Sequence, residues 1–126
     1  MIGIIGAMDT EVDNIKAQVK GKTVSFIAGV EFVCGFIEDV TVCVAKCSPG
    51  KVNAAICTQA MIDNFDIDMI INVGVACSLS KDVIIKNVVI ATDVCEYDID
   101  ITALGEPRGL DRKSTRLNSS HANVSR

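Results

Sequence analysis

The stretch Met1-Ile-Gly-Ile-Ile-Gly-Ala-Met-Asp-Thr-Glu-Val12 decides the fold class. Its first six residues form an apolar run that ends at Gly6, which is typical of a buried strand running directly into a turn. Asp9 can then cap a helix from Thr10 to about Lys20, in which apolar residues recur on one face. A strand that passes straight into a helix favours an α/β fold.

Three runs rich in β-forming residues follow this helix, which Gly21 is expected to close. They cover Thr23–Ala28, Glu31–Ile37 and Val40–Ala45, and short turn segments separate them, so we expect an antiparallel meander. A second helix is predicted from Lys51 to about Asn64. Its expected inward-facing residues are Val52, Ala55, Ile56 and Ala60.

A further near-continuous apolar run, Asp68–Val75, predicts a central strand. Val83–Ala91 and Ile99–Ala103 are additional strand candidates, the first of them with an irregular or bulged course. Two core strands of the parallel type, an antiparallel meander and flanking helices together predict a mixed α/β sheet.

Composition excludes several classes of function. The chain has 126 residues, 49% of them hydrophobic and 22% charged, with a net charge of −4 and no basic stripe, so a nucleic-acid partner is not expected. Apolar runs fall short of the roughly 18–20 residues that span a bilayer, and the amino-terminal run lacks the basic region of a secretory signal. We therefore expect a cytoplasmic protein with no membrane segment.

The cysteines lie among small apolar residues and include no Cys-x-x-Cys pair, while the sole histidine, His121, lies far from them in sequence. We therefore expect reduced thiols that fill the core, and no metal site. The six cysteines are Cys34, Cys43, Cys47, Cys57, Cys77 and Cys95.

The composition breaks at Leu110. Residues 1–110 hold fifteen acidic and eight basic residues, whereas residues 111–126 hold one acidic and four basic residues. The segment Asp111–His121 also resembles an in-frame translation of a sequencing-adaptor oligonucleotide. We expect residues 1–110 to be the natural part of the chain and residues 111–126 to be a non-native, disordered tail. The alternative is a solvated basic tail.

Ligands of such sheets bind beyond the carboxyl ends of the core strands, which points to Gly6–Glu11 and Gly74–Ser78. Gly3-Ile-Ile-Gly6 lacks the spacing of a dinucleotide-binding loop, and Gly50-Lys51 lacks the other residues of a P-loop, so no cofactor is predicted. Glu11 lies in the first turn of its helix. There a carboxylate can have a purely structural role, in which the helix dipole stabilises its charge, or it can act in catalysis.

Four stretches, in order and spacing, resemble bacterial 5′-methylthioadenosine/S-adenosylhomocysteine nucleosidases: Ile2–Val12, Gly50–Ala55, Ile70–Leu79 and Tyr97–Ala103. The resemblance covers residues 1–110, about the amino-terminal half of that family's chain. It implies a truncated three-layer, mixed-sheet fold like that of nucleoside phosphorylases, and a homodimer when the chain is full length.

The resemblance also implies the chemistry, which is hydrolysis of an N-glycosidic bond to release adenine. Glu11 would orient and deprotonate the attacking water, whereas the family's acid, an aspartate, belongs to the missing half. The 126-residue chain alone is therefore expected to be inactive and to aggregate. Asp98 and Asp100 are interpreted as solvated or structural residues rather than as substitutes for that acid.

Further residues match ligand-lining positions of the family. Met8 and Pro49 correspond to the alkylthio pocket, and Ile101 and Leu104 to an apolar wall, with Leu104 reaching into a partner's site. The implied substrate-binding residues are Met8, Pro49, Val75, Ala76, Cys77, Ile101 and Leu104.

The sequence departs from the family's pattern at two turns. Cys77 and Ser78 stand where glycines are usual, and Cys47-Ser48-Pro49 replaces the commoner Ser-Gly-Ile, so affinity and substrate preference are in question.

Two other functions stay open. A nucleoside phosphorylase of the same fold would call for an early arginine or histidine, which residues 1–100 lack. The other is a non-catalytic α/β ligand-binding domain.

Overall fold

A five-stranded mixed sheet organises the part of the chain that the computed structural model describes, which is residues 1–92, 94, 98 and 100–105. The elements in chain order are β1 (Ile2–Gly6), α1 (Asp9–Gln18), β2 (Lys20–Ile27), β3 (Val30–Ile37), β4 (Val40–Lys46), α2 (Lys51–Asn64), β5 (Met69–Val73) and a 3₁₀ turn at Thr102–Leu104. The strand order is β2-β3-β4-β1-β5. β1 runs parallel to β4 and β5, and β2, β3 and β4 form the predicted antiparallel meander.

The two faces of the sheet carry separate apolar clusters. Cys43 and Val44 are neighbours on β4 and therefore point to opposite faces. Cys43 packs in the cluster that contains Met61 of α2, and Val44 packs in the cluster that contains Val12 of α1. A helix thus covers each face of the sheet, which confirms the predicted three-layer α/β class.

The bounds of α1 differ from the prediction at both ends. Met8, not Asp9, is the capping residue, and Asp9 is the first helical residue. The helix ends at Gln18, so Gly21 does not close it. Gly21 lies instead inside β2, where the pairing with β3 shifts register between Lys20 and Thr23. Its φ is 60°, and glycine suits this irregular part of the strand because it tolerates a positive φ.

The bounds of α2 match the prediction, but its inward face does not. Cys57, Ala60 and Met61 are the buried residues, so of the predicted set only Ala60 was right. Val52 is 72% exposed and Ile56 is 48% exposed. Apolar residues lie all around this helix, and periodicity alone therefore could not select the face that packs on the sheet.

Three of the strand predictions need correction. β5 is an edge strand among the described strands rather than a central one. Val83–Ala91 forms no strand; the Ile84 N–H donates to Asn87 Oδ1 at 2.8 Å and closes a turn. Of Ile99–Ala103, residue 99 lies outside the described residues, and Thr102 and Ala103 lie in the 3₁₀ turn, before which the Asp100 side chain accepts the Thr102 N–H at 3.1 Å.

The described cysteines are free thiols that differ in burial. Cys43, Cys47 and Cys57 are buried, and Cys34 is half-buried, which agrees with the expectation that these side chains fill the core. Cys77 is exposed and is an exception, and Cys95 lies outside the described residues. Burial raises the pKa of the Cys57 thiol to about 11.

Candidate active site

The carboxyl ends of three strands meet at one edge of the sheet. β1 is parallel to both of its neighbours, and Gly6 lies in register with Lys46 of β4 and with Val73 of β5. The turns that follow β1 and β5 are therefore adjacent. These are the two segments that the sequence predicts to bind a ligand.

Glu11 connects these two turns. Its Oε2 accepts the N–H groups of Ala7 at 2.8 Å and of Met8 at 2.9 Å, and its Oε1 accepts the N–H of Val75 at 3.2 Å. A carboxylate offers roughly four lone-pair positions, so these three donors fix its orientation and leave about one position for a further partner such as water. The helix dipole also favours a negative charge at this place.

Both interpretations of Glu11 offered by the sequence are thus compatible. Glu11 closes the first turn of α1 by accepting the Met8 N–H, while the Glu11 N–H donates to the Met8 carbonyl at 3.0 Å. The same carboxylate reaches across to Val75, sixty-four residues away along the chain. A helix-capping acid needs no such second contact, which makes this carboxylate a candidate reactive group.

Glycine at position 74 permits this close approach. A Cβ atom on Gly74 would lie 3.1 Å from Glu11 Oε1, closer than an ordinary van der Waals contact. The carboxylate is held by the three N–H donors described above, so it could withdraw only by weakening one of these hydrogen bonds. Gly74 therefore contributes to the site through the absence of a side chain.

Cys47 contacts the end of β1, which no pattern in the sequence indicated. Its N–H donates to the Gly6 carbonyl oxygen at 2.9 Å, and its thiol donates to the same oxygen at 3.3 Å. Burial raises the pKa of the Cys47 thiol. The motif Cys47-Ser48-Pro49 stood out only as a departure from the family's pattern, and spacing could not connect residues forty-one positions apart.

Some of the predicted substrate-binding residues contact Glu11 and others do not. Met8 and Val75 reach it through their backbone N–H groups. Val75, Ala76 and Cys77 line an open groove of about 790 Å³, which residues 83–87 also line.

The other predicted residues lie on different segments. Pro49 is exposed in the turn before α2, where its carbonyl accepts the Asn53 side-chain amide at 2.7 Å. Ile101 is half-buried and Leu104 is exposed, in the segment 100–105. The hydrogen bonds described at Glu11 involve none of these three residues.

The two departures from the family's pattern have different structural consequences. Cys77 and Ser78 are not among the described residues with positive φ, so a side chain strains neither backbone position. Ser48 is among them, with φ of 66°, a left-handed conformation that glycine adopts at lower cost. The strain therefore falls on the turn after β4 and not on the turn after β5.

Two ion pairs flank the site. Lys46 Nζ lies 2.8 Å from Asp9 Oδ1, and Lys51 Nζ lies 3.0 Å from Asp98 Oδ2. In each pair the lysine holds the pKa of the aspartate below its ordinary value. Asp98 and Asp100 are both exposed, which agrees with their interpretation as solvated or structural residues.

Within the described ranges, histidine, cysteine and carboxylate side chains form no group of three or more that could hold a metal ion. The helices described there are also too short or too polar to cross a membrane.

The three-layer architecture and a carboxylate held at the carboxyl edge of parallel strands define an α/β protein with a candidate active site at that edge. The chain belongs to the phosphorylase superfamily, whose family model matches residues 1–124. It is similar to the 5′-methylthioadenosine/S-adenosylhomocysteine nucleosidase of Shewanella piezotolerans, with 40% identity over 104 residues, which are 82% of this chain and 45% of the relative. This similarity confirms the resemblance carried by the four motifs.

Solved structures give the same result. The nucleosidase of Colwellia psychrerythraea in complex with adenine matches with a TM-score of 0.88 at 30% identity, over 91% of this chain and 48% of that one. The Neisseria meningitidis nucleosidase in complex with methylthio-immucillin-A matches with a TM-score of 0.84 at 29% identity, over 89% and 48% of the two chains. The chain spans about half the length of the relatives and structures that it matches.

Proposed function

We propose that the complete protein carrying this chain hydrolyses the N-glycosidic bond of 5′-methylthioadenosine and S-adenosylhomocysteine and releases adenine. The observation that carries the proposal is the Glu11 carboxylate, held by N–H donors from both ligand-binding turns. The similarity to nucleosidases, two of them solved with adenine or methylthio-immucillin-A, supports the proposed substrate class.

The proposed reaction needs one base and one acid. A water oxygen bonds to the anomeric carbon of the ribose while the bond from that carbon to the purine nitrogen breaks, and the electron pair of that bond leaves with the purine. Glu11 takes a proton from the water, because its fixed carboxylate retains an oxygen position that can accept it. A separate acid protonates the departing adenine.

That acid is proposed to lie outside the half of the relatives that this chain matches. An adenine that leaves without protonation is an anion and a poor leaving group. Asp98 and Asp100 do not replace the acid, because Asp98 is paired with Lys51 and Asp100 accepts hydrogen bonds from Thr102. We therefore expect the 126-residue chain on its own to release no adenine.

The substrate is proposed to occupy the groove beside Val75, Ala76 and Cys77, where backbone groups can contact the purine and the ribose. Met8 and Pro49 are proposed to face the alkylthio group. The wall formed by Ile101 and Leu104 completes the site, with Leu104 supplied to a partner subunit. A homodimer in the cytoplasm is part of this proposal.

A phosphorylase is the alternative on the same fold. Its phosphate nucleophile calls for a cationic side chain at the reacting carbon. Lys46 and Lys51, the lysines nearest in sequence to the turn after β4, are each paired with an aspartate, and residues 1–105 contain no arginine or histidine. These observations favour water as the nucleophile.

The test is adenine release by the complete gene product in the presence and absence of phosphate. We expect release from both substrates at the same rate in the two buffers, with free thio-ribose as the second product. Release only in the presence of phosphate, with formation of a ribose phosphate, would show a phosphorylase. Binding of the nucleosides without release in either buffer would show a ligand-binding protein.

A further inference from the structure

We propose that Cys47 is a positioning residue for Glu11, acting through the peptide group that joins Gly6 and Ala7. The proposal rests on the proposed catalytic role of Glu11. Two hydrogen bonds from Cys47 meet the carbonyl oxygen of this peptide group, at 2.9 Å from its N–H and at 3.3 Å from its thiol. The N–H of the same peptide group donates to Glu11 Oε2 at 2.8 Å.

The planarity of the peptide bond couples the Gly6 carbonyl to the Ala7 N–H. The carbonyl of Gly6 and the N–H of Ala7 belong to one rigid plane, so a residue that fixes the carbonyl also fixes the direction of the N–H. Two donors from different parts of Cys47 restrain the plane more tightly than the backbone bond alone. The orientation of the Ala7 N–H, and with it that of the Glu11 carboxylate, therefore depends on the thiol.

Polarisation adds to the mechanical effect. A hydrogen bond accepted by a peptide carbonyl makes the N–H of the same peptide a stronger donor. Cys47 is only 6% exposed, so water does not compete for the bond between its thiol and the Gly6 carbonyl. Burial also raises the pKa of this thiol, which keeps it protonated and able to donate at neutral pH.

Cys57 provides a matched control, because it lies in the same apolar cluster and is fully buried. It lies in α2 and belongs to the packing of that helix on the sheet. If Cys47 were core filling only, the two cysteines would respond alike to truncation. The positioning role predicts that they respond differently.

The experiment compares Cys47→Ala, Cys47→Ser and Cys57→Ala in the complete protein. A thiol is a weak donor, so Cys47→Ala is expected to lower kcat by about threefold without changing KM. It is also expected to move the amide proton resonance of Ala7 upfield and to speed its exchange with solvent. Cys47→Ser keeps a donor, and a stronger one, so it is expected to keep the parent kcat and to shift the Ala7 resonance downfield of its parent position. Cys57→Ala is expected to change neither.

The proposal is overturned if Cys47→Ala leaves the Ala7 amide unchanged, or if Cys57→Ala has the same effects as Cys47→Ala. If Cys47→Ala does not fold, Cys47→Ser decides the question alone, because a stronger donor must shift the Ala7 amide downfield relative to the parent. A protein that releases no adenine would refute the proposed function, and the amide measurement would still decide whether Cys47 positions the Glu11 carboxylate.

Discussion

Replacing Gly74 by alanine should disturb Glu11 without disturbing the fold. The new Cβ would lie 3.1 Å from Glu11 Oε1, so the carboxylate oxygen must withdraw by a few tenths of an ångström. The bond that Oε1 accepts from the Val75 N–H is already 3.2 Å long, and the withdrawal breaks it. A hydrogen bond to a charged group is worth about 1.5–3 kcal/mol, and the lower value corresponds to about a tenfold loss in rate.

Stability should change little in this variant. Gly74 does not have a positive φ, so alanine can adopt its backbone conformation. The reduced freedom of the unfolded chain contributes about 0.4–1 kcal/mol, which offsets part of the lost hydrogen bond. With the lower value for the hydrogen bond, we expect the free energy of unfolding to fall by about 0.5–1 kcal/mol and kcat/KM for adenine release to fall about tenfold.

A double-mutant cycle with Glu11→Gln shows whether the effect passes through the carboxylate. In the Glu11→Gln background, Gly74→Ala should cost no further activity, because the group that it displaces no longer acts as a base. An equal loss in both backgrounds would refute this reasoning, as would full activity of the single variant.

Three further predictions follow from other parts of the structure. Ser48→Gly should raise the free energy of unfolding by about 1 kcal/mol, because Ser48 has φ of 66°; a fall in the urea midpoint would contradict this. Lys46 lowers the pKa of Asp9 below its ordinary value of 3.8, so this pair stabilises the fold above about that pH and its contribution is lost as the pH falls through the lower, folded-state pKa. Asp9→Asn should therefore flatten the decline in unfolding free energy on the acid side, and an unchanged decline would count against the pair. Genomic DNA beyond the codon for Leu110 should not encode residues 111–126 in frame, and finding them there would establish a natural tail.

Local sequence was sufficient wherever the signal and the structure span the same few residues. The run from Met1 to Gly6, the meander and the bounds of α2 follow from apolar runs and turn residues that are adjacent in the chain. The segment that holds Glu11 was found because it lies directly after a strand that ends in glycine, the place where parallel sheets bind ligands. The catalytic role of Glu11 itself was implied only by the resemblance to nucleosidases.

Contacts between distant residues were beyond such reasoning. The bond from Cys47 to Gly6 depends on the parallel pairing of β1 with β4, which no local pattern encodes. The inward face of α2 depends on which of several apolar faces meets the sheet. Val83–Ala91 has the composition of a strand, but a strand also needs a neighbour to pair with, and the described part of the chain gives this segment a turn instead.

The central claim is that Glu11 is the base, and the most direct test is adenine release from 5′-methylthioadenosine by the Glu11→Gln variant of the complete protein. Asp13→Asn is the matched control, because it removes the same charge from an exposed position on the same helix. We expect kcat/KM to fall by about 10²–10⁴ in Glu11→Gln and to stay at the parent value in Asp13→Asn. A folded Glu11→Gln variant that retains near-parent turnover would remove Glu11 from the mechanism.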